Sequence, residues 1–343
     1  MWQRVFAAVT VAALLVAPAP QAPASVPAPE TLCTVTDPRL TELSGLAVVG
    51  ETVWAVADGG RRVDVYQLNP RDCRIVGRRH AAIDPYDVED LAVGPDGALW
   101  VADIGDNALR RDSVAVIVLP ATGSPRLHRL TYPDGPHDAE ALLVDRRGVP
   151  YVITKEAVGP AGVYRAVEPP VGVGPTPLVH AGSLVLPASD TSGGPIGSVG
   201  SRTITGAAAT ADGSVVAVRT YTDAWVFPVP DGDIAAALAG TPTQVPLPGE
   251  PQGEAVAFTA DGTLLSGSET RRGVPGELRA VPGVAPPVES ALQREPAAAH
   301  ESSADPADEP DTLPSWLPAA VGAAAVSLLL LLVAALAALR RRF

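Results

Sequence analysis

Basic residues are scarce in this 343-residue chain: 25 Lys and Arg stand against 38 Asp and Glu, for a formal net charge of −13. Binding to a nucleic-acid backbone relies on a basic face, so nucleic acid is excluded as a partner. Lysine occurs once, as Lys155, and the other bases are arginine, which fits a GC-rich genome. Cysteine is limited to Cys33 and Cys73, so at most one disulfide can form within the chain. An exported even pair suggests that it does, two buried free thiols being the alternative. The five histidines, His80, His128, His137, His180 and His300, are scattered. They lack the i, i+4 pairing of a helical zinc site. There is no GxSxG elbow, P-loop or dinucleotide fingerprint, so the corresponding hydrolase and nucleotide sites have no support.

Both ends differ from the middle. MWQRVFAAVTVAALLVAPAPQAPAS has Arg4, an apolar run from Val5 to Val16 and small residues at Ala22 and Ala24. These are the parts of a secretory signal, expected over 1–24. A retained anchor is the alternative, although the run is shorter than the roughly 20 residues that span a bilayer. WLPAAVGAAAVSLLLLLVAALAAL, 316–339, carries no charge and is long enough to span. Trp316 sits at one interface and Arg340, Arg341 and Arg342 at the other, so the 340–343 tail is expected in the cytoplasm. LPSWL lacks the Thr-Gly of a wall-sorting LPxTG signal. Residues 284–315, rich in Pro, Ala and acids, read as a disordered, self-repelling stalk. The expectation is a monomer anchored once in the cell membrane, with an extracytoplasmic domain over 31–283.

That domain contains a repeat. TELSGLAVVGETVWAVADGG from Thr41, DVEDLAVGPDGALWVADIGDN from Asp87, DAEALLVDRRGVPYVITKE from Asp138, TITGAAATADGSVVAVRTYTDAWVF from Thr203 and QGEAVAFTADGTLLSGSETRRG from Gln252 share one design. Each has a short apolar strand, a Gly-containing turn and a second strand, and most run into a third. A further candidate strand precedes each copy: TLCTVTDP, RIVGRRHAAID, RLHRLTYPDG, SLVLPASD and TQVPLPGE. Four strands at a period of about 45 to 65 residues mark the blades of a β-propeller. The all-β fold expected is therefore a five-bladed β-propeller, the N-terminal strand completing the last blade. Six blades are the alternative, if the interval holding TSGGPIGSVGS hides a degenerate one. A Cys33–Cys73 disulfide would pin the closure and add roughly 4 kcal/mol for a loop of about 40 residues.

Aligning the copies puts Ser44, Glu89, Glu140, Thr205 and Glu254 in one column at the start of the innermost strands. Two residues earlier stand Glu42, Asp87, Asp138, Thr203 and Gln252, expected to point the same way by strand alternation. Three carboxylates around one narrow axis repel by several kcal/mol per pair, to order of magnitude, unless protonated or neutralised. An oxygen-only donor set suits Ca²⁺, the predicted metal, and no His or Cys stands in the column to favour zinc. The plainer alternative is that these acids brace the blades through backbone amides.

TELSGLAVVGETVWAVADGGRRVDVYQL, the blade starts DVEDLAV and QGEAVAF, and the order Ser44, Glu89, Glu140, Thr205, Glu254 resemble the calcium-activated nucleotidases, or apyrases. That family is a five-bladed propeller with a central Ca²⁺ held by a Ser, Glu, Glu, Ser, Glu ring. The resemblance implies Ca²⁺ ligands at those five positions, with Thr205 departing from Ser. DIGDN and YPDGPHDAEALLVD resemble, more closely, a set of uncharacterised bacterial secreted propellers, which implies no activity. Phytase-related and gluconolactonase-type propellers are more remote in pattern.

The same face should carry Asp58, Arg61, Arg62, Asp103, Asp106, Asn107, Arg110, Arg111, Lys155, Glu156, Arg219, Tyr221, Glu269, Arg271 and Arg272. Acids and arginines beside a cation suit a phosphorylated ligand. Asp103 or Asp106 would then orient an attacking water and Arg219 would grip phosphate, these three being the candidate catalytic residues. The leading expectation is a binding or scaffold module at the cell surface, taking an unknown protein or a phosphorylated ligand on this face. A Ca²⁺-dependent phosphohydrolase, apyrase-like or phytase-like, is the alternative.

Overall fold

The computed structural model describes residues 26–288. The expected signal 1–24, the stalk beyond Val288, the 316–339 helix and the 340–343 tail lie outside the described residues. Among the described residues no helix is long and apolar enough to cross a membrane.

The described chain is nearly all β. Strand β1 (Glu30–Val35) leads. The first antiparallel quartet is β2 (Leu43–Val49), β3 (Thr52–Ala57), β4 (Val63–Leu68) and β5 (Ile75–Ala81). The second is β6 (Val88–Val93), β7 (Leu99–Asp103), β8 (Val114–Leu119) and β9 (Arg126–Thr131). Then come β10 (Ala139–Val144), β11 (Pro150–Thr154), β12 (Ala161–Ala166) and β13 (Thr176–Leu184). The fourth quartet is β14 (Ile204–Ala209), β15 (Val215–Thr220), β16 (Asp223–Pro228) and β17 (Thr243–Pro246). The last sheet holds β18 (Gly253–Phe258), β19 (Leu264–Ser268) and β20 (Gly276–Val281), with β1 paired on β20 as its fourth strand. A two-residue parallel pairing, Thr176 with Leu130 and Pro177 with Thr131, joins the outer strands of the second and third quartets.

The first strand of each quartet packs on the next, β2 on β6, β6 on β10, β10 on β14, β14 on β18, and β18 back on β2. These five strands have neighbours on both sides, which is why GLAVV, LAV and ALLV are apolar throughout rather than alternating. Outer β5 keeps the alternation of a half-exposed strand. The result is a propeller-like ring of sheets.

The interval between Leu184 and Ile204 contains a single 3-10 turn, Gly197–Val199, and no strand, so it supplies nothing toward a further quartet. It is docked on Asp223, which is fully buried and accepts from Ser189 Oγ at 2.5 Å, Thr191 Oγ1 at 2.7 Å, Thr222 Oγ1 at 2.6 Å and Gln244 Nε2 at 2.8 Å. The fourth strand of the third quartet also lies earlier than expected. It ends at Leu184, so most of SLVLPASD is loop. A five-residue helix, α1 (Ile234–Leu238), capped by Asp233, fills the β16–β17 connection.

Cys33 and Cys73 form a disulfide, tying β1 in the last sheet to the turn after β4 in the first. The body also extends past its expected end at 283. Ala285 is buried and its amide donates to Gly262 O at 3.0 Å, while the Val288 amide donates to Ala260 O at 2.8 Å. Those partners lie in the β18–β19 turn, at the end opposite the starts of the innermost strands.

One side chain crosses the axis. The residue after each column position is Gly45, Asp90, Ala141, Gly206 or Ala255, four small residues and one aspartate. Asp90 is fully buried and accepts from Leu91 N at 2.8 Å, Leu142 N at 2.8 Å and Ala207 N at 3.0 Å, linking β6 to β10 and β14. A Cβ at Gly45 would sit 2.7 Å from the Asp90 carbonyl carbon, so the strand there has to be glycine to pass. Below this layer the channel is lined by Leu46, Leu91, Leu142 and Phe258 among other apolar groups. Asp90→Ala should strand three buried amides and lower the unfolding free energy by about 3 kcal/mol or more. Urea unfolding checks this: a change below about 1 kcal/mol would mean the axis does not depend on that carboxyl.

Candidate functional site

The column predicted from the repeat is built by a local irregularity that the repeat conceals. In all five quartets the register between the first two strands slips at the same place, between Leu43 and Gly45, Val88 and Asp90, Ala139 and Ala141, Ile204 and Gly206, and Gly253 and Ala255. The unpaired residue is Ser44, Glu89, Glu140, Thr205 or Glu254. A bulge of this kind bends the strand and re-aims one side chain. The preceding column still reaches the ring at two positions: Gln252 Nε2 bonds the Glu254 carboxylate, and Asp87 and Glu89 lie together against Gly105.

All five ring side chains are buried. Ser44 Oγ donates to Glu89 O at 2.6 Å and Thr205 Oγ1 to Gly253 O at 3.0 Å, which leaves each hydroxyl its lone pairs. Lys155 Nζ, reaching in from the end of β11, pairs with Glu140 Oε1. Gln252 Nε2 donates to Glu254 Oε1 at 2.7 Å, while Glu254 Oε2 is buried with no partner.

Burial, reinforced by Glu140 and Asp87, pushes the Glu89 carboxyl up to about 12. Burial takes Glu140 to about 7, with the Lys155 charge pulling against it. Burial also raises Glu254 well above the carboxylate range, with Glu140 and Glu269 adding to the effect. Lys155 is held charged by Glu140, Tyr221 and Glu254 in spite of its burial. At the mouth, burial and the neighbouring Asp87 raise Asp58 to about 6, and burial with Glu42 and Asp58 raises Glu269 to about 7. The column offers only oxygen donors, with both hydroxyl hydrogens committed elsewhere and Glu254 Oε2 without a partner, but among the described residues no group of three or more His, Cys, Asp or Glu is gathered so that it could hold a metal ion.

The other sequence candidates are placed differently. Asp103 ends β7 and accepts from Tyr86 N at 3.1 Å, Asp87 N at 2.9 Å and Arg111 Nη2 at 3.0 Å, so it staples the β5–β6 loop. Asp106 Oδ2 caps its own loop through Arg110 N at 2.7 Å and Arg111 N at 2.8 Å, and its amide donates to Asp138 Oδ1 at 2.8 Å. These contacts explain DIGDN and the start of DAEALLVD as an inter-sheet clasp. Gly105 within it lies against Asp87, whose Oδ2 a Cβ would meet at 2.5 Å. Arg219 is 0 % exposed, paired with Glu250 and donating to Ser266 Oγ at 2.7 Å between the fourth and fifth sheets. Held there, it does not reach a phosphate on the mouth. Asp103, Asp106 and Arg219 thus do not converge on the ring. Asp90 was missed, though its column, one carboxylate among Gly and Ala, was the available signal.

No family model matches the chain, and neither does any curated protein. Solved structures similar to it include the PQQ-bound aldose sugar dehydrogenase from Streptomyces coelicolor, at 12 % identity and a TM-score of 0.40, covering 75 % of this chain and 98 % of that one. A gluconolactonase from Xanthomonas campestris matches at 14 % identity and TM-score 0.39, over 74 % and 89 %. A streptogramin B lyase matches at 11 % and 0.39, over 74 % and 97 %. These are propeller-like folds. The strand order here stands on its own pairing, and the likenesses carry no chemistry to this chain.

Asp58, Glu140, Glu269 and Asp90, the last pushed to about 8 chiefly by burial, all titrate higher when folded than in the unfolded chain, where carboxyls titrate near 4. The folded form keeps protons the unfolded chain has lost, so their stabilisation is present below about pH 4 and disappears as pH rises through 6 to 8. In chelator, the thermal midpoint should fall steadily from pH 5 to pH 9. A flat or rising profile would show that these carboxylates are already neutralised by other means.

Proposed function

We propose that this chain is a five-bladed, extracytoplasmic β-propeller, tethered to the cell membrane through 316–339, whose axial mouth binds Ca²⁺ and serves as a binding module. One observation carries the reading. Three buried glutamates stand at equivalent bulges with one ammonium paired to Glu140, so a divalent cation taking the place of the protons on Glu89 and Glu254 would balance the three carboxylates. Ser44, Glu89, Glu140, Thr205 and Glu254 would hold the ion, with water completing a shell of oxygens. Apolar residues line the channel below, so access is from the mouth. The last described residues leave from the opposite end, beside Ala260 and Gly262.

The phosphohydrolase alternative has less support, because Asp103 and Arg219 are engaged in holding loops and sheets together. Calorimetric titration of Ca²⁺ into the full chain tests both readings. The dissociation constant should fall between about 10⁻⁴ and 10⁻³ M, the range of extracellular modules. Glu89→Gln and Glu140→Gln should weaken binding tenfold or more, and affinity should increase with pH as ring carboxyls lose their protons. Nucleoside diphosphates and a generic phosphoester should go unhydrolysed in the same samples. No Ca²⁺ heat from folded wild type would overturn the metal site, whereas Ca²⁺-dependent phosphate release would replace the binding module with the enzyme.

A further inference from the structure

We propose that the rim of the propeller carries a carbohydrate-binding site, built on Tyr86 between the first and second sheets, that takes a neutral pyranose sugar. The site needs neither the ring glutamates nor a metal. Tyr86, in the loop between β5 and β6, is 65 % exposed, the only exposed Phe, Trp or Tyr among the described residues. It is nonetheless held in place. The Arg111 guanidinium lies over one face of its ring, 4.6 Å from the centroid. The Arg111 side chain is itself 9 % exposed, paired with Asp103 Oδ1 at 3.0 Å and donating to Gly105 O at 2.7 Å. The same Asp103 oxygen accepts from the Tyr86 amide at 3.1 Å, so one buried carboxylate fixes both the backbone and, through Arg111, the ring. Holding a large apolar side chain still in water costs entropy and leaves its surface unburied. Both costs are offset when a ligand covers the ring, and a ring already fixed has less order to lose on binding.

Tyr86 borders a cavity of about 420 Å³, within the roughly 300–1,000 Å³ of small-molecule sites. Ile83 and Leu127 supply apolar wall. Asp84, Asp112 and Arg129 stand at its exposed polar edge. With Asp103 and Arg111 paired to each other, two acids face one base there, which opposes a phosphate or carboxylate ligand. A purely apolar ligand would leave these polar groups desolvated and unpaired. A pyranose meets every part. Its C–H face packs on the aromatic ring, whose π face is negative. Its neighbouring hydroxyls donate to the two carboxylates and accept from the guanidinium.

Saturation-transfer NMR and calorimetry on the full chain test this, with the methyl pyranosides of glucose, galactose, mannose and N-acetylglucosamine as probes. Glucose 6-phosphate and adenosine are the competing ligand classes. At the efficiency of ordinary small ligands, the preferred pyranoside should bind with a dissociation constant on the order of 1 mM. Tyr86→Ala should weaken it about tenfold, and Tyr86→Phe should leave it within about twofold, because the ring is used and not its hydroxyl. Affinity should be the same in chelator and in Ca²⁺. No transfer to any of the four sugars, equal affinity in Tyr86→Ala, or tighter binding of adenosine or glucose 6-phosphate than of every pyranoside overturns the inference. Each of these leaves the Ca²⁺ reading as it stands. Should Tyr86→Ala fail to fold by circular dichroism, Asp112→Asn is read in its place: it should weaken the sugar about threefold or more, and unchanged affinity there also overturns the site.

Discussion

Three glutamates brought within electrostatic reach at a buried axis set the terms for everything around them. Their burial favours protonation, their mutual repulsion favours it further, and positive charge, helped at Glu254 by the Gln252 amide, opposes it. Lys155 supplies one such charge. With Ca²⁺ added, three carboxylates would balance one ammonium and one divalent ion. Without it, Glu89 and Glu254 are the groups that hold protons, and the site's charge is tied to pH and metal alike.

The ring of sheets is what makes so unfavourable a cluster possible. Each innermost strand bulges at the same step, so five residues, three of them glutamate, are aimed at one axis from doubly packed strands. Directly beneath, Asp90 takes amide hydrogens from its own strand and from two others, in a layer where its counterparts are Gly or Ala. Apolar side chains then fill the channel. The polar chemistry is thereby confined to one end. The closing strand β1 and its disulfide hold first and last sheets together, so the axis has no seam through which the cluster can relax.

Much of this was legible in the sequence because it recurs. The apolar strand, the Gly turn and the acidic start repeat five times, so the ring residues, the closing strand and the Cys33–Cys73 pairing could be read from position alone. What does not recur was not legible. Asp90 occurs once and looks like one more acid beside Glu89. Arg219 ends a strand much as Lys155 does, yet it turns into the gap between two sheets to meet Glu250, a pairing set by tertiary packing. The bulge hides because an extra residue common to every copy leaves the alignment undisturbed. β13 begins at Thr176, ahead of the expected SLVLPASD, because β12 and β9 supply its partners.

The central claim is that the ring binds a cation at the axis. It is tested most directly by diffraction from crystals grown with Ca²⁺, with anomalous scattering used to locate the ion. The account predicts one anomalous peak on the axis, ligated by Glu89, Glu140 and Glu254. An axis without a peak at saturating Ca²⁺ would contradict it.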